Sequence, residues 1–301
     1  MKVDIGEVLT RAWQITWTYK VLWLYGFVLT LAGFLLMPFA LVPAFAPALP
    51  DRFGERMMDD PTFILIFFGA FLLFMLVMYP VSALLNGALT VGVLHGERGD
   101  ERLSFTDMTR ESYPFFGRIL GTMFLFIGGF ILVMLAFMVL GMVISLVTLG
   151  FGMICMMPLT FLQYPAMLIW YIWMEQSMSA VVVDNMSVIE AARHSWELFR
   201  KNLWTYVLFG LVLYFGVSII SMIVMMPMLI PFFFLPFAFE SAELGRMTLV
   251  IAGLCLLVLA PIVAVFQGGA MALMKSGWVI TYLRLTRSPS EPQPVLQPVS
   301  A

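Results

Sequence analysis

Five long runs without a charged residue dominate this chain. They occupy residues 21–50, 62–94, 119–174, 203–239 and 247–274. Each run reaches or exceeds the roughly 20 residues that a helix needs to cross about 30 Å of hydrocarbon. Inside a bilayer the backbone must satisfy its own hydrogen bonds, so long runs without period-two alternation predict helices rather than a β-barrel. The runs therefore predict an all-α fold, a polytopic transmembrane helix bundle.

The overall composition supports a membrane location. Hydrophobic residues make up 62% of the chain and charged residues 11%, whereas soluble domains contain about 45–50% apolar and about 25% charged residues. We therefore expect membrane lipids to be partners of the protein. The net charge of −2 predicts no basic surface for nucleic acid, so no nucleic-acid partner is expected. The composition leaves open whether the chain binds another protein or forms a homo-oligomer.

We predict about six spans in a single integral membrane domain, residues 1–287, followed by a disordered proline-rich tail, residues 288–301. The run 119–174 is long enough for two long helices separated at Gly150 and Gly152. Three shorter helices would also fit its length, but they would place the following basic loop on the opposite side. We therefore favour two helices.

The distribution of basic residues predicts the orientation. With six spans and both termini on one side, only Arg52, Arg56 and Arg246 of the 16 Lys and Arg residues lie on the other side. Short basic loops tend to stay in the cytoplasm. We therefore expect a multi-pass protein of the inner (plasma) membrane with cytoplasmic N- and C-termini. Seven spans would split this asymmetry.

The longest polar segment, residues 187–206, has the pattern of an amphipathic surface helix. Ser187 and Glu190 have capping-box spacing. Apolar residues follow at steps of three and four, which places them on one helical face, and charged residues fill the remaining positions. They predict a cytoplasmic interfacial helix, which acts either as an anchor for the next span or as a docking surface. Its candidate functional residues are Glu190, Arg193, Trp196, Phe199 and Arg200, and its predicted apolar face comprises Ile189, Ala192, Trp196, Phe199 and Leu203.

The same layout occurs three times and predicts an internal repeat. Each copy has a capping residue, an acidic residue three positions later and a large aromatic residue six positions after that. The predicted repeats are residues 1–95, 96–183 and 184–287, each a cytoplasmic amphipathic helix followed by a two-span hairpin. The three sets are Asp4, Glu7 and Trp13; Ser104, Asp107 and Tyr113; and Ser187, Glu190 and Trp196.

The segments VIEAARHSWELFRKNLW at 188–204 and DIGEVLTRAW at 4–13 resemble a loose group of uncharacterised bacterial polytopic membrane families. That group includes the membrane domain fused to some glycerophosphoryl diester phosphodiesterases. Catalysis in those fused proteins belongs to a separate soluble domain. The resemblance therefore implies an accessory membrane module and does not imply an enzyme.

No pattern of catalytic or metal-binding residues stands out. His95 and His194 have no cysteine or cluster of acidic residues at ligand spacing. The chain also has no G-x-S-x-G elbow, P-loop or dinucleotide fingerprint. We therefore expect a protein that is not an enzyme, with no catalytic residue, no metal site and no cofactor. Two GxxxG motifs, Gly92–Gly96 and Gly117–Gly121, are weak signals of close helix packing.

Three amide side chains lie inside the apolar runs, where polar groups are costly and tend to be used. Asn86, Gln163 and Gln267 lie about 12–18 Å from the predicted cytoplasmic side, and we expect them to form one polar layer. The layer either holds the bundle together through hydrogen bonds or binds a polar group. We accordingly expect a non-catalytic, lipid-interacting or membrane-organising accessory module. The alternative is a small-molecule or lipid transporter component with a polar path through the membrane.

Overall fold

The computed structural model describes residues 4–36, 39, 60–100, 104–148, 151–229, 233 and 242–287. Turns of 3₁₀ helix occur at Tyr113–Phe115 and Met226–Leu229. None of the described residues lies in a β-strand, which confirms the predicted all-α fold. The predicted tail, 288–301, lies outside the described residues. The described helices are α1 (Ile5–Thr18), α2 (Val21–Phe34), α3 (Pro61–Arg98), α4 (Phe105–Ser112), α5 (Phe116–Val147), α6 (Gly152–Val183), α7 (Val188–Lys201), α8 (Leu203–Met225) and α9 (Ala242–Thr286).

The long helices are apolar enough to cross a membrane. Five segments meet that criterion on their own, namely α3, the continuous run of α4 with α5, and stretches of α6, α8 and α9. A sixth is added when α1 and α2, which meet at an angle of 88°, are counted as one span. The protein is therefore a multi-pass membrane protein. The five or six spans in the described part of the chain agree with the prediction of about six.

Local sequence explains several helix ends. The run 119–174 divides into two long helices, α5 and α6, and α6 begins at Gly152, which confirms the predicted division. Helix α3 ends at Gly99, whose φ of 82° is left-handed, a conformation that glycine adopts without steric penalty. Helix α1 begins at Asp4, whose carboxylate accepts hydrogen bonds from the amides of Gly6 and Glu7.

Polar contacts between helix ends define one end of the bundle, called here the polar end. Arg284, near the end of α9, lies 3.2 Å from Glu7 on α1 and 3.4 Å from Glu97 on α3. Arg287 lies 3.2 Å from Asp184, directly after α6. These ion pairs bring the described beginning and end of the chain together, as a topology with both termini on one side requires.

The packed core lies near the polar end. Buried side chains concentrate in residues 83–96, 172–183, 191–199 and 272–283. The most apolar stretches of α3 and α5 contain no buried residue, and their large apolar side chains are exposed. Extensive exposed apolar surface marks contact with a membrane or a partner. These parts of the helices therefore form the lipid-facing region.

Helices α2 and α9 make the most extensive contact between two described helices, and two glycines allow it. A methyl group on Gly26 would lie 2.4 Å from the carbonyl oxygen of Gly268. A methyl group on Gly268 would lie 2.5 Å from the carbonyl oxygen of Trp23 and 2.6 Å from the amide nitrogen of Phe27. The two backbones touch, and neither position has room for a side chain.

Of the two GxxxG motifs, Gly92–Gly96 lies in a close helix contact. A methyl group on Gly92 would lie 2.6 Å from a side-chain atom of Leu22, and one on Gly96 would lie 2.9 Å from Ile15. Gly117, in the second motif, has no neighbour within 4 Å of the corresponding position. The motif in α3 therefore lies in a helix contact, whereas Gly117, the first glycine of the motif in α5, faces open space.

A short helix followed by two longer helices occurs in α4 to α6 and in α7 to α9, whereas in α1 to α3 the second helix, α2, is as short as α1 over the described residues. The junctions differ, because α1 and α2 are sharply bent whereas α4 and α5 form one continuous run through a 3₁₀ turn at Pro114. The predicted threefold repeat stays a prediction, and so does common ancestry of the three units.

Candidate functional site

A cavity of about 230 Å³ lies between α1, α2, α8 and α9. It runs along residues 217–224 of α8 and 266–273 of α9, which corresponds to about 10 Å at the helical rise of about 1.5 Å per residue. No lining residue carries a charge. An apolar cavity of about 150 Å³ is large enough to hold benzene. This cavity can therefore accept a segment of hydrocarbon chain.

Three tryptophans form a continuous aromatic wall of the cavity. The ring centroids of Trp13 and Trp17 are 5.3 Å apart, and those of Trp17 and Trp23 are 5.0 Å apart. Nε1 of Trp23 donates a hydrogen bond to the carbonyl oxygen of Thr16 at 2.8 Å, which fixes this ring across the bend between α1 and α2. Indole rings have a large apolar surface and few rotatable bonds. The wall is therefore apolar, and the hydrogen bond of Trp23 holds one of its three rings in place.

The cavity borders the lipid-facing surface. Trp13 and Trp17 are each about half exposed, as are Ile220 on α8 and Phe266 on α9. These four side chains line the cavity and also face the outside of the bundle. A membrane lipid can therefore reach the cavity from the side.

One hydrogen-bonded pair of side chains lies in the cavity wall. Oγ of Ser221 on α8 donates to Oε1 of Gln267 on α9 at 3.0 Å. Gln267 lies eight residues before Lys275, or about 12 Å along α9. The pair therefore places polar atoms inside the apolar run 247–274.

The three predicted amide side chains bind different partners. Nδ2 of Asn86 donates to the carbonyl oxygen of Ser82 on its own helix at 2.8 Å. Nε2 of Gln163 donates to Sδ of Met134 on α5 at 3.2 Å, and Gln267 accepts from a side chain of α8. Of the three, Gln267 alone lines the cavity. The prediction that all three form one functional layer gains no support from these partners.

The apolar face predicted for α7 and the face that is buried in the protein overlap only in part. Phe199 is buried and Trp196 is half-buried, but Ile189 is 70% exposed, whereas Ala191 and Ser195 are buried. The buried face is therefore rotated towards the small residues. The reason is close packing on α6, where Nε1 of a tryptophan, Trp173, donates to the carbonyl oxygen of Ala192 at 2.7 Å. Small side chains allow that approach. Leu203, the last member of the predicted face, is exposed and belongs to α8.

The charged candidates of α7 face outwards. Glu190, Arg193 and Arg200 are exposed. Glu190 forms the predicted capping box, since its carboxylate accepts from the amide of Ser187 at 3.5 Å and from its hydroxyl at 3.1 Å. Within the described part of the chain, neither arginine lies within 4.0 Å of a carboxylate. Both guanidinium groups therefore remain accessible at the surface of α7.

Sequence reasoning missed a buried ion pair. Nζ of Lys275 on α9 lies 2.8 Å from Oε2 of Glu175 on α6, and the two side chains are only 4% and 7% exposed. On the next residue, Oε1 of Gln176 accepts a hydrogen bond from the hydroxyl of Tyr206 at 3.1 Å. Glu175 and Lys275 each directly follow an apolar run. A charged residue in that position is expected to lie at the membrane surface. The only signal for their pairing was their opposite charge.

Metal chemistry and known relatives give no indication of function. Among the described residues, no three His, Cys, Asp or Glu side chains come together as a metal site. Comparisons of the chain with protein-family models, curated proteins and solved structures found no match. The cavity is therefore the feature of the described chain that best indicates a function.

Proposed function

We propose that this protein is a non-catalytic lipid-binding module of the membrane, which holds a hydrocarbon chain in the cavity between α1, α2, α8 and α9. The observation that carries the proposal is an uncharged cavity with a tryptophan wall beside the lipid-facing surface. The resemblance to accessory membrane domains agrees with this role.

Packing against the tryptophan wall would retain the lipid. Lipid tails are as apolar as leucine, so transfer of a chain from the bilayer into the cavity gains no hydrophobic free energy. Each contact between carbon atoms contributes only about 0.1–0.2 kcal/mol, but many contacts add up. The hydrogen-bonded ring of Trp23 and the neighbouring ring of Trp17, 5.0 Å away, supply such contacts, and an indole loses little rotamer freedom when it binds.

The transporter alternative has less support. It needs Asn86, Gln163 and Gln267 to face one polar path, whereas each binds a different partner.

We also propose that the polar end faces the cytoplasm from the inner membrane. The excess of Lys and Arg in the loops of that side supports this orientation, and the contact between Glu7 and Arg284 supports placing both ends of the described chain at the polar end.

We expect Ala270→Phe to displace the bound lipid. Ala270 lines the cavity, so a phenyl ring there takes up the space of the lipid chain. Ala136→Phe is the matched control, because Ala136 is exposed on α5. After mild delipidation, native mass spectrometry should show about one lipid per chain in the wild type and in A136F, and at least fivefold less in A270F. Equal lipid occupancy in all three proteins would contradict the proposal.

A further inference from the structure

We infer that the cavity selects a neutral lipid with a single hydroxyl or carbonyl group, which forms a hydrogen bond with the pair Ser221 and Gln267. The inference rests on the proposed function, since it names the class of lipid that the same cavity takes. Three features support it: the depth of the pair, its hydrogen-bonding capacity, and the absence of charge from the cavity wall.

The pair lies at a depth where a plain hydrocarbon chain has no polar group that could form a hydrogen bond with it. Ser221 and Gln267 are on facing helices, and both line the cavity inside the apolar runs 203–239 and 247–274. Polar side chains at membrane depth are costly and tend to have a use. A bond between the two helices accounts for one donor and one acceptor. It does not account for their position in a cavity wall.

Hydrogen-bonding capacity remains after the pair has formed its bond. A hydroxyl and a primary amide together have more donors and acceptors than a single hydrogen bond uses. The hydroxyl of Ser221 donates to Oε1 of Gln267 at 3.0 Å, and its oxygen still has lone pairs that can accept from a ligand hydroxyl. The amide group of Gln267 is chemically able to donate to a ligand carbonyl. The site therefore matches a ligand with one neutral polar group.

An ionised headgroup does not fit the same cavity. No lining residue is charged, and an unpaired ion in apolar surroundings is strongly disfavoured. The nearest cation along α9 is Lys275, about 12 Å away, and its ammonium group already lies 2.8 Å from Glu175. A phosphate inside the cavity would therefore lack a counter-ion, whereas a hydroxyl needs none.

The test compares three radiolabelled probes with the same chain, cis-9-octadecene, cis-9-octadecenol and cis-9-octadecenyl phosphate, on protein in phosphatidylcholine nanodiscs. Binding to the cavity is defined as the fraction of probe binding that is lost in A270F. We expect the alcohol to bind about fivefold more tightly than the hydrocarbon, equivalent to about 1 kcal/mol for one hydrogen bond. The phosphate should bind no more tightly than the hydrocarbon.

Variants of the pair separate this inference from the proposed function. In the double variant Ser221→Ala with Gln267→Leu, the preference for the alcohol should fall to about one while hydrocarbon binding persists. Ser218→Ala is the matched control, since Ser218 lies on α8 but does not line the cavity. An equal affinity for alcohol and hydrocarbon in the wild type would overturn the inference and leave the proposed function intact. If A270F changes the binding of none of the probes, both fail.

Discussion

Replacing Lys275 with methionine is expected to lower the free energy of unfolding by about 3–5 kcal/mol, because the change leaves a buried carboxylate without its partner. The ammonium of Lys275 and the carboxylate of Glu175 are 2.8 Å apart and almost fully buried. Methionine is similar in length to the aliphatic part of lysine, so packing changes little. The decrease in the free energy of unfolding therefore measures the effect of leaving the carboxylate of Glu175 unpaired. SDS titration of the protein in mixed micelles measures the effect.

The double variant Glu175→Leu with Lys275→Met provides the decisive comparison. Replacing both members of a buried pair with apolar residues is often neutral or stabilising, so the double variant should be more stable than K275M. Arg200→Met is the surface control and should change stability by no more than about 0.5 kcal/mol, because Arg200 is exposed on α7. A double variant as unstable as the sum of the two single variants would show that the pair does not act as a unit.

Replacing Gly268 with alanine is expected to destabilise the protein by about 3 kcal/mol or more, at or above the upper end of typical overpacking effects. The added methyl group would lie 2.5 Å from the carbonyl oxygen of Trp23. Backbone atoms cannot move aside as a flexible side chain can, so α2 and α9 would have to separate. The unfolding midpoint in SDS titration should fall accordingly, and Gly26→Ala should have a similar effect.

Gly216→Ala is the matched control for the glycine variants. Gly216 is exposed on α8, and nothing lies within 4 Å of a methyl group added there. Alanine is favoured over glycine in a helix by up to about 1 kcal/mol, so this variant should be as stable as the wild type or slightly more stable. An unfolding midpoint of Gly268→Ala as high as that of Gly216→Ala would show that the backbones of α2 and α9 are not in contact at Gly268.

The fold was predictable from the sequence because its main determinant is local. A long run without charge that crosses a bilayer must be helical whatever its neighbours are, so the runs predict where the spanning helices lie and that there are about six of them. Helix ends also depend on nearby residues: Ser187 and Glu190 form the predicted capping box. The contact of Gly26 with Gly268 was not predictable, because each glycine stands outside any GxxxG motif and their proximity depends on how α2 meets α9.

The candidate site was predictable only in part. Gln267 was identified as a polar residue within an apolar run, and it does line the cavity. The tryptophan wall was not recognised, because the 88° bend brings together side chains from two helices. Lys275 was placed at the membrane surface because hydropathy does not reveal that the packed core near the polar end encloses it. Ile189 matched the apolar period of α7, but packing on α6 decides which face is buried.

Photo-crosslinking tests most directly whether a lipid chain occupies the cavity. The protein is reconstituted with a phosphatidylcholine that has a diazirine in its acyl chain, irradiated and mapped by mass spectrometry. We predict that adducts concentrate on the cavity residues Trp17, Ile220 and Phe266 and that A270F removes them. Leu65 and Leu132, exposed on α3 and α5, report ordinary contact with lipid. Equal adduct yields at these leucines and at the cavity residues, unchanged by A270F, would contradict the account.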